Sequence, residues 1–232
     1  EEADYWNLEP GKGYYITRNG SAVIAWRVPQ HAIGGWRIAA SHSDSPCWKI
    51  KADMPENEGC RRLSVEGYGG MIMASWLDRP LTVGGRVLVK TQDGVQSRLV
   101  YIDRDLLVIP SLAIHFQRDV NKGKVFNPQI DMQPLWGPAG SRTLTDLICE
   151  ELGITAADIL DWDLQLVTRQ APVQIGPDNE YFMAPRIDDL ECAATTLLAF
   201  LEASGEADSA CAPVWAMFDN EEVGSSSLMC AE

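Results

Sequence analysis

Short apolar runs separated by turn-forming residues dominate the chain. In GYYITRNGSAVIAWRV (13–28) two such runs flank Asn19-Gly20. That pair accepts left-handed backbone at both positions and so predicts a β-hairpin. After IGG, the run WRIAA (36–40) has the length and composition of a buried strand, and it delivers the polar cluster SHSDSP (41–46) at its end. From about Asp78 to Asp163 the texture shifts to β-rich stretches such as GGRVLVK and SRLVYI, then to a Pro/Gly-rich connection and the amphipathic TLTDLICEELG. Further on, DLQLVT reads as a strand, PRIDD as a junction and PVWAMF as another buried strand. Between the last two, LECAATTLLAFLEA reads as a helix, with Leu190, Ala193, Ala194, Leu197, Leu198 and Leu201 at helical spacing. This order predicts a sheet-and-helix domain formed by 1–77 and 164–232, interrupted by a β-rich inserted domain, 78–163.

Composition narrows the setting. With 232 residues and 46% hydrophobic content, the chain can bury a sizeable core as one large domain or two smaller ones. The formal net charge of -14 repels polyphosphate and anionic lipid, which argues against a nucleic-acid or membrane partner. Six cysteines, at 47, 60, 149, 192, 211 and 230, show neither CxxC spacing nor the density of a disulfide scaffold, and read as reduced, mostly buried thiols. No apolar run approaches the ~20 residues of a membrane span and no basic-then-apolar leader opens the chain, so a cytoplasmic location is expected. The first residue is Glu1 rather than Met, which leaves room for a preceding segment.

Three junctions beside apolar strands carry acids or a histidine: SHSDSP (41–46), PRIDDL (185–190) and FDNEEVGS (218–225). Chemistry in α/β proteins collects at strand ends, so the three suggest one site. Histidine with carboxylates is a ligand set that zinc accepts, and surplus acids point to a second metal or a general base. In His42-x-Asp44 the ring can bind a metal through one nitrogen while Asp44 fixes the other nitrogen or the loop. A surface turn with a capping Asp has the same sequence. Asp188-Asp189 precedes a helix, where one acid serves as N-cap and the other is left to bridge cations. Glu221-Glu222 suits a solvated turn, or a single site if the strand ends before them, because successive strand residues face opposite ways. In the latter case one carboxylate ligates a metal while its neighbour accepts a proton from the attacking water.

Six blocks, YYITRNGSAVIAW, SHSDSPCWKIK, VEGYGGMIMASWLDRPLTVGGRV, IPSLAIHFQRDVNKGKVFNPQ, MAPRIDDL and FDNEEVGSSS, follow one another as in the M18 metallo-aminopeptidases, the aspartyl aminopeptidase family, which the chain resembles along almost its whole length. The resemblance implies an α/β zinc-exopeptidase fold (phosphorylase/hydrolase-like). That fold is a mixed sheet flanked by helices with an inserted β-rich assembly domain, its C-terminal part being absent from these 232 residues. It implies His42 as a ligand of one metal, Asp188 as the bridging carboxylate, Glu222 as a ligand of the other metal, Glu221 as the general base and Asp44 as the acid that orients His42. His115, in AIHFQR, matches a family histidine that reaches a neighbour's active site to contact substrate, or that acts as a metal ligand. By the residues alone, a lone His after an apolar run reads as structural. The implied cofactor is Zn2+, two per complete site, with Mn2+ or Co2+ also accepted by a carboxylate-rich set. The resemblance further implies peptide substrates losing N-terminal Asp or Glu, self-association into a dodecamer, and a cis peptide between Asp188 and Asp189.

Two departures from the family pattern stand out. The family carries another acidic ligand and a C-terminal histidine beyond the position of Glu232, and in LDRPL a proline, Pro80, occupies the place of an expected acid at a strand start. His31, in a loop before AIGG, is not recruited as a substitute ligand. Two other readings compete with a metallo-aminopeptidase. A glycosidase explains paired carboxylates, yet it needs them about 5 to 9.5 Å apart across a sugar and leaves His42-x-Asp44 without a task. A truncated, catalytically inactive fragment would serve only an assembly or structural role.

Overall fold

A computed structural model describes residues 5–53, 59–203 and 210–224. In chain order the strands are β1 (Gly13–Arg18), β2 (Ala22–Arg27), β3 (Gly35–His42), β4 (Cys47–Asp53), β5 (Cys60–Tyr68) and β6 (Leu81–Thr91). They continue with β7 (Gly94–Tyr101), β8 (Leu135–Pro138), β9 (Ile159–Thr168), β10 (Val173–Ile175), β11 (Tyr181–Met183) and β12 (Cys211–Phe218). The α-helices are α1 (Pro128–Asp131), α2 (Leu144–Leu152) and α3 (Ile187–Ala203). Two compact units divide the chain, one of Glu1–Ser45 with Arg186–Glu232 and one of Pro46–Pro185. These junctions lie outside the 78–163 span suggested by the change in texture. The reason is pairing: β4 and β5, before residue 78, and β9, which runs past 163, hydrogen-bond into the second unit's sheet.

The first unit is a mixed four-stranded sheet in the order β1-β2-β12-β3, with β12 parallel to β3 and antiparallel to β2. The β1–β2 hairpin turns where Asn19 and Gly20 take positive φ (49° and 67°), and the Ser21 N–H donates to Arg18 O at 3.0 Å. PVWAMF forms most of β12, which lies inside the sheet and buries Ala212, Trp215 and Ala216. WRIAA does form a strand, but not a buried one. Among the described residues β3 is an edge with β12 as its single neighbour, leaving Trp36 57% and Ile38 67% exposed. Helix α3 packs on β3 and β12, burying Ala193 and accepting a hydrogen bond from Trp215 Nε1 on Thr196 Oγ1 at 3.0 Å. Its second apolar stripe, Leu190, Leu198 and Leu201, is exposed.

The second unit centres on a six-stranded antiparallel sheet, β7-β6-β9-β4-β5-β8, beside a separate β10–β11 hairpin. Alternate residues of its strands (Trp48, Leu63, Val65, Val83, Val87, Leu164, Leu166) form one core with Leu144 and Ile148 of α2. Thr143 opens α2 with a reciprocal cap to Asp146, and left-handed Gly153 closes it. Gly85 has φ +148°, and a Cβ there would be inside contact distance of the Asp163 carbonyl oxygen and 2.9 Å from Leu164 Cα. Pro80 precedes β6 rather than interrupting it, so its missing N–H costs no ladder bond. The segment from Pro110 to Asn127 crosses from the end of a short bridge to α1 without strand pairing.

No helix among the described residues is long and apolar enough to cross a membrane. No disulfide forms among the described cysteines, of which Cys47 alone is buried and Cys192 is exposed, fewer buried thiols than composition suggested. Cys230 and the serines at 225–227 lie outside the described residues.

Candidate metal centre

The parallel pairing of β3 with β12 sets Phe218 opposite His42, so both strands end at one level. Ser43 extends the ladder by a step, its N–H donating to Phe218 O at 2.9 Å. Carboxyl ends of adjacent parallel strands are where an open α/β sheet exposes room for chemistry. The chain leaves β12 through Asn220 in a left-handed conformation (φ 66°) and makes a single 3-10 turn, Glu221–Val223, closed by Gly224 (φ 54°). The strand has therefore ended before the paired glutamates, and both can face one site. Helix α3 begins beside them, with a cis peptide between Asp188 and Asp189.

These elements bring His42, Asp44, Asp188, Asp189, Glu221 and Glu222 together. His42 Nε2 lies 3.3 Å from Asp188 Oδ1 and 3.8 Å from Glu221 Oε2. One potential ligand atom from each of His42, Glu221 and Glu222 falls within 4.8 Å of the other two. On the far side of the ring, Nδ1 stands 3.0 Å from the Asp44 carbonyl and 3.3 Å from Asp44 Oδ1. This leaves Nε2 turned toward the acids.

Asp44 does more than face the ring. Its two oxygens accept the backbone N–H groups of Glu221 at 3.2 Å and Glu222 at 3.1 Å, which clamps the β12 turn to the end of β3. Asp189, unassigned beyond a capping role by sequence, accepts the His42 N–H on Oδ2 at 3.0 Å. Asp188 has a 90% exposed side chain, with Oδ1 toward His42 Nε2. The one available signal for Asp189 was its adjacency to Asp188; the cross-chain bond to residue 42 has no local signature. His115 belongs to the second unit, where it is exposed in the Pro110 to Asn127 segment. His31 is exposed in the loop between β2 and β3.

Electrostatics follow from this crowding. Burial opposes a charged His42 ring, but the carboxylates of Asp44, Glu221 and Asp189 outweigh it and the ring titrates above its ordinary 6.5. Burial, followed by the charges of Glu221 and Asp44, pushes the Glu222 carboxyl up. For Asp189 burial acts upward too, yet hydrogen bonds from Cys192 and the His42 N–H hold it below the usual value. One imidazole beside several carboxylates gathers like charge that a divalent cation would offset. The donor set of one nitrogen and carboxylate oxygens fits zinc.

The model of the family described as aminopeptidase I zinc metalloproteases (M18) matches residues 1–232. A probable M18 family aminopeptidase 2 of Clostridium novyi is 36% identical over 243 residues, covering all of this chain and 55% of the relative. Among solved structures, mApe1 of Chaetomium thermophilum superposes with a TM-score of 0.85 at 32% identity, over 97% of this chain and 55% of that one. The S. cerevisiae mApe1 dodecamer superposes with a TM-score of 0.73 at 25% identity, over 94% and 51%. The chain thus spans about half the length of the curated relatives it matches.

Proposed function

Because the chain belongs to the M18 family of aminopeptidase I zinc metalloproteases, we propose that within the longer protein it supplies the base-and-ligand half of a site that removes N-terminal residues from peptides. The observation that carries this reading is the convergence of His42, Glu221 and Glu222 within 4.8 Å, with Asp188 at 3.3 Å from His42. His42 through Nε2 would be a ligand of one metal and Glu222 of the other, with Asp188 the carboxylate that serves both. Bound zinc supplies Lewis-acid polarisation of a carbonyl and acidifies water. Asp44 and its own carbonyl hold the His42 ring in the orientation that offers Nε2. Glu221 takes a proton on its carboxylate from the attacking water and returns it to the leaving amine nitrogen as the C–N bond breaks. Being 45% exposed, its side chain is open to incoming substrate.

The preferred N-terminal residue is acidic, and His115 contacts substrate in a neighbouring subunit. Self-association is supported by the dodecamer of the yeast relative and by the exposed apolar residues Leu112, Ile114, Phe116 and Val125 of the second unit. The protein works in the cytoplasm. Glu221→Gln in the full-length protein tests the central assignment. It removes the proton acceptor while keeping the shape, so kcat falls by roughly 100-fold or more with zinc content unchanged. Retained turnover would show that another group is the base.

A further inference from the structure

The segment that carries His115 has little to hold it in place. Leu112, Ile114 and Phe116 are 61%, 48% and 82% exposed, and the segment's own hydrogen bonds are local turns such as Phe116 N–H to Ala113 O at 2.9 Å and Gln117 N–H to Ile114 O at 3.2 Å. Its placement depends on Phe126, packed against the core near its far end, and on polar pins at its two ends. At the far end, Lys124 Nζ binds Asp131 Oδ1 at 2.7 Å and Gln117 Oε1 at 3.4 Å. At the near end, four residues before His115, the pin is Asp78. Its N–H donates to Ile109 O at 2.9 Å, its Oδ1 accepts the Ser111 N–H at 2.9 Å and its Oδ2 accepts the Ser111 hydroxyl at 2.6 Å. Leu77 forms a parallel bridge with Ile109 beside it. Asp78 itself sits at φ +57°, a left-handed conformation that Asp tolerates better than most residues and that turns its carboxylate onto Ser111.

We propose that Asp78 is a positioning residue for the reaction, latching Ser111 and so fixing where the segment presents the His115 imidazole. The proposal rests on the reading of His115 as a substrate-contacting residue. A carboxylate is used here because two donors of one residue, an N–H and an O–H, need two acceptors with fixed spacing. Without the latch the segment keeps its turns but loses the reference that orients them. Displacement by about 1 Å of a group that meets substrate is enough to cost up to about 100-fold in rate.

The test uses the full-length protein loaded with zinc and an aspartyl or glutamyl p-nitroanilide as substrate, with melting temperature and subunit count followed for every variant. Asp78→Ala lowers kcat by about 10-fold with KM within about twofold, because the missing interaction is one made at the reacting centre. Asp78→Asn keeps an acceptor for the Ser111 N–H and recovers most of the loss. In a His115→Ala background the further change Asp78→Ala adds less than about twofold, since both act through one ring. If Asp78→Ala does not fold, Ser111→Ala, which deletes only the hydroxyl bond, gives a smaller kcat loss with the same dependence on His115. Independent, multiplicative losses in the double variant, full activity of Asp78→Ala, or a loss that merely follows dissociation of the assembly each overturn the proposal. Should His115→Ala itself leave kcat unchanged, the reading of His115 falls and the latch falls with it. A large His115→Ala effect beside a silent Asp78→Ala refutes the latch alone.

Discussion

Asp44 offers the sharpest quantitative check on how the candidate metal centre is built. Its side chain is 7% exposed, and its carboxylate serves three donors at once: the N–H groups of Glu221 and Glu222 and the edge of the His42 ring. Asp44→Asn keeps the volume and one acceptor oxygen but turns an NH2 group toward the second backbone donor. One N–H is then left unmade, at a cost of about 1–3 kcal/mol. The ring does not lose its tautomer, because the carbonyl of residue 44 still faces Nδ1 at 3.0 Å. What it loses is the negative charge that would strengthen His42 as a ligand. Loss of such an outer partner lowers metal affinity by about 10- to 100-fold, roughly 1.4 to 2.8 kcal/mol. Asp44→Ala orphans both N–H groups, costs about 2–6 kcal/mol and frees the Glu221–Val223 turn. Competition of the full-length protein against a chromophoric zinc chelator reads the affinity, and thermal unfolding of the metal-free forms reads the clamp. Zinc binding by Asp44→Asn within about twofold of the parent would refute the role given to the charge, because the predicted loss starts at about 10-fold.

Two further outcomes concern the second unit. Gly85→Ala places a Cβ against the Asp163 carbonyl at φ +148°, and backbone strain of about 1–3 kcal/mol adds to overpacking of similar size. Denaturant unfolding should show a loss of roughly 2–6 kcal/mol, and a change below about 1 kcal/mol would contradict the packing described. Burial acts to raise the Asp131 carboxyl, but hydrogen bonds from Lys124 and the Asn127 N–H outweigh it and hold it below the ordinary 3.8. A depressed folded pKa means that its contribution is present above 3.8 and is lost as pH falls through the folded value. The stability difference between the parent and Asp131→Asn, measured by denaturant unfolding, therefore shrinks from about pH 6 to about pH 3, and a difference that grew would reverse the sign argued here.

Local chemistry was legible where a few neighbouring residues decide the outcome. Asn19-Gly20 announced its hairpin because positive φ at both positions is a property of the dipeptide itself. The end of β12 before Glu221 could be read from Val223-Gly224 and from the need of two adjacent acids to share a site. Partner choice was not legible. WRIAA has the composition of a buried strand, but burial depends on what lies beside and over β3, and Trp36 and Ile38 are exposed. The same blindness misplaced the unit boundaries, since nothing in DLQLVT states that it pairs with β6 and β4. At the candidate metal centre the acids could be picked out from their places at strand ends, while the bonds that hold them, Asp44 to the 221 and 222 amides and Asp189 to the His42 amide, join positions far apart in the chain. Such bonds leave no periodic trace.

Ser45 Oγ donates to the Asp188 carbonyl at 3.3 Å, so the chain departs from the first unit and rejoins it at a single narrow neck beside the candidate ligands. Closing a loop costs entropy that grows only with the logarithm of its length, about 0.6 kcal/mol for each doubling even when the loop is floppy. The neck therefore decouples the size of the excursion Pro46–Pro185 from the stability of the centre it interrupts. Insertions or deletions at the surface of that excursion should leave metal affinity almost untouched, whereas a single residue added within the neck itself, between His42 and Pro46, would shift Asp44 off its two amides.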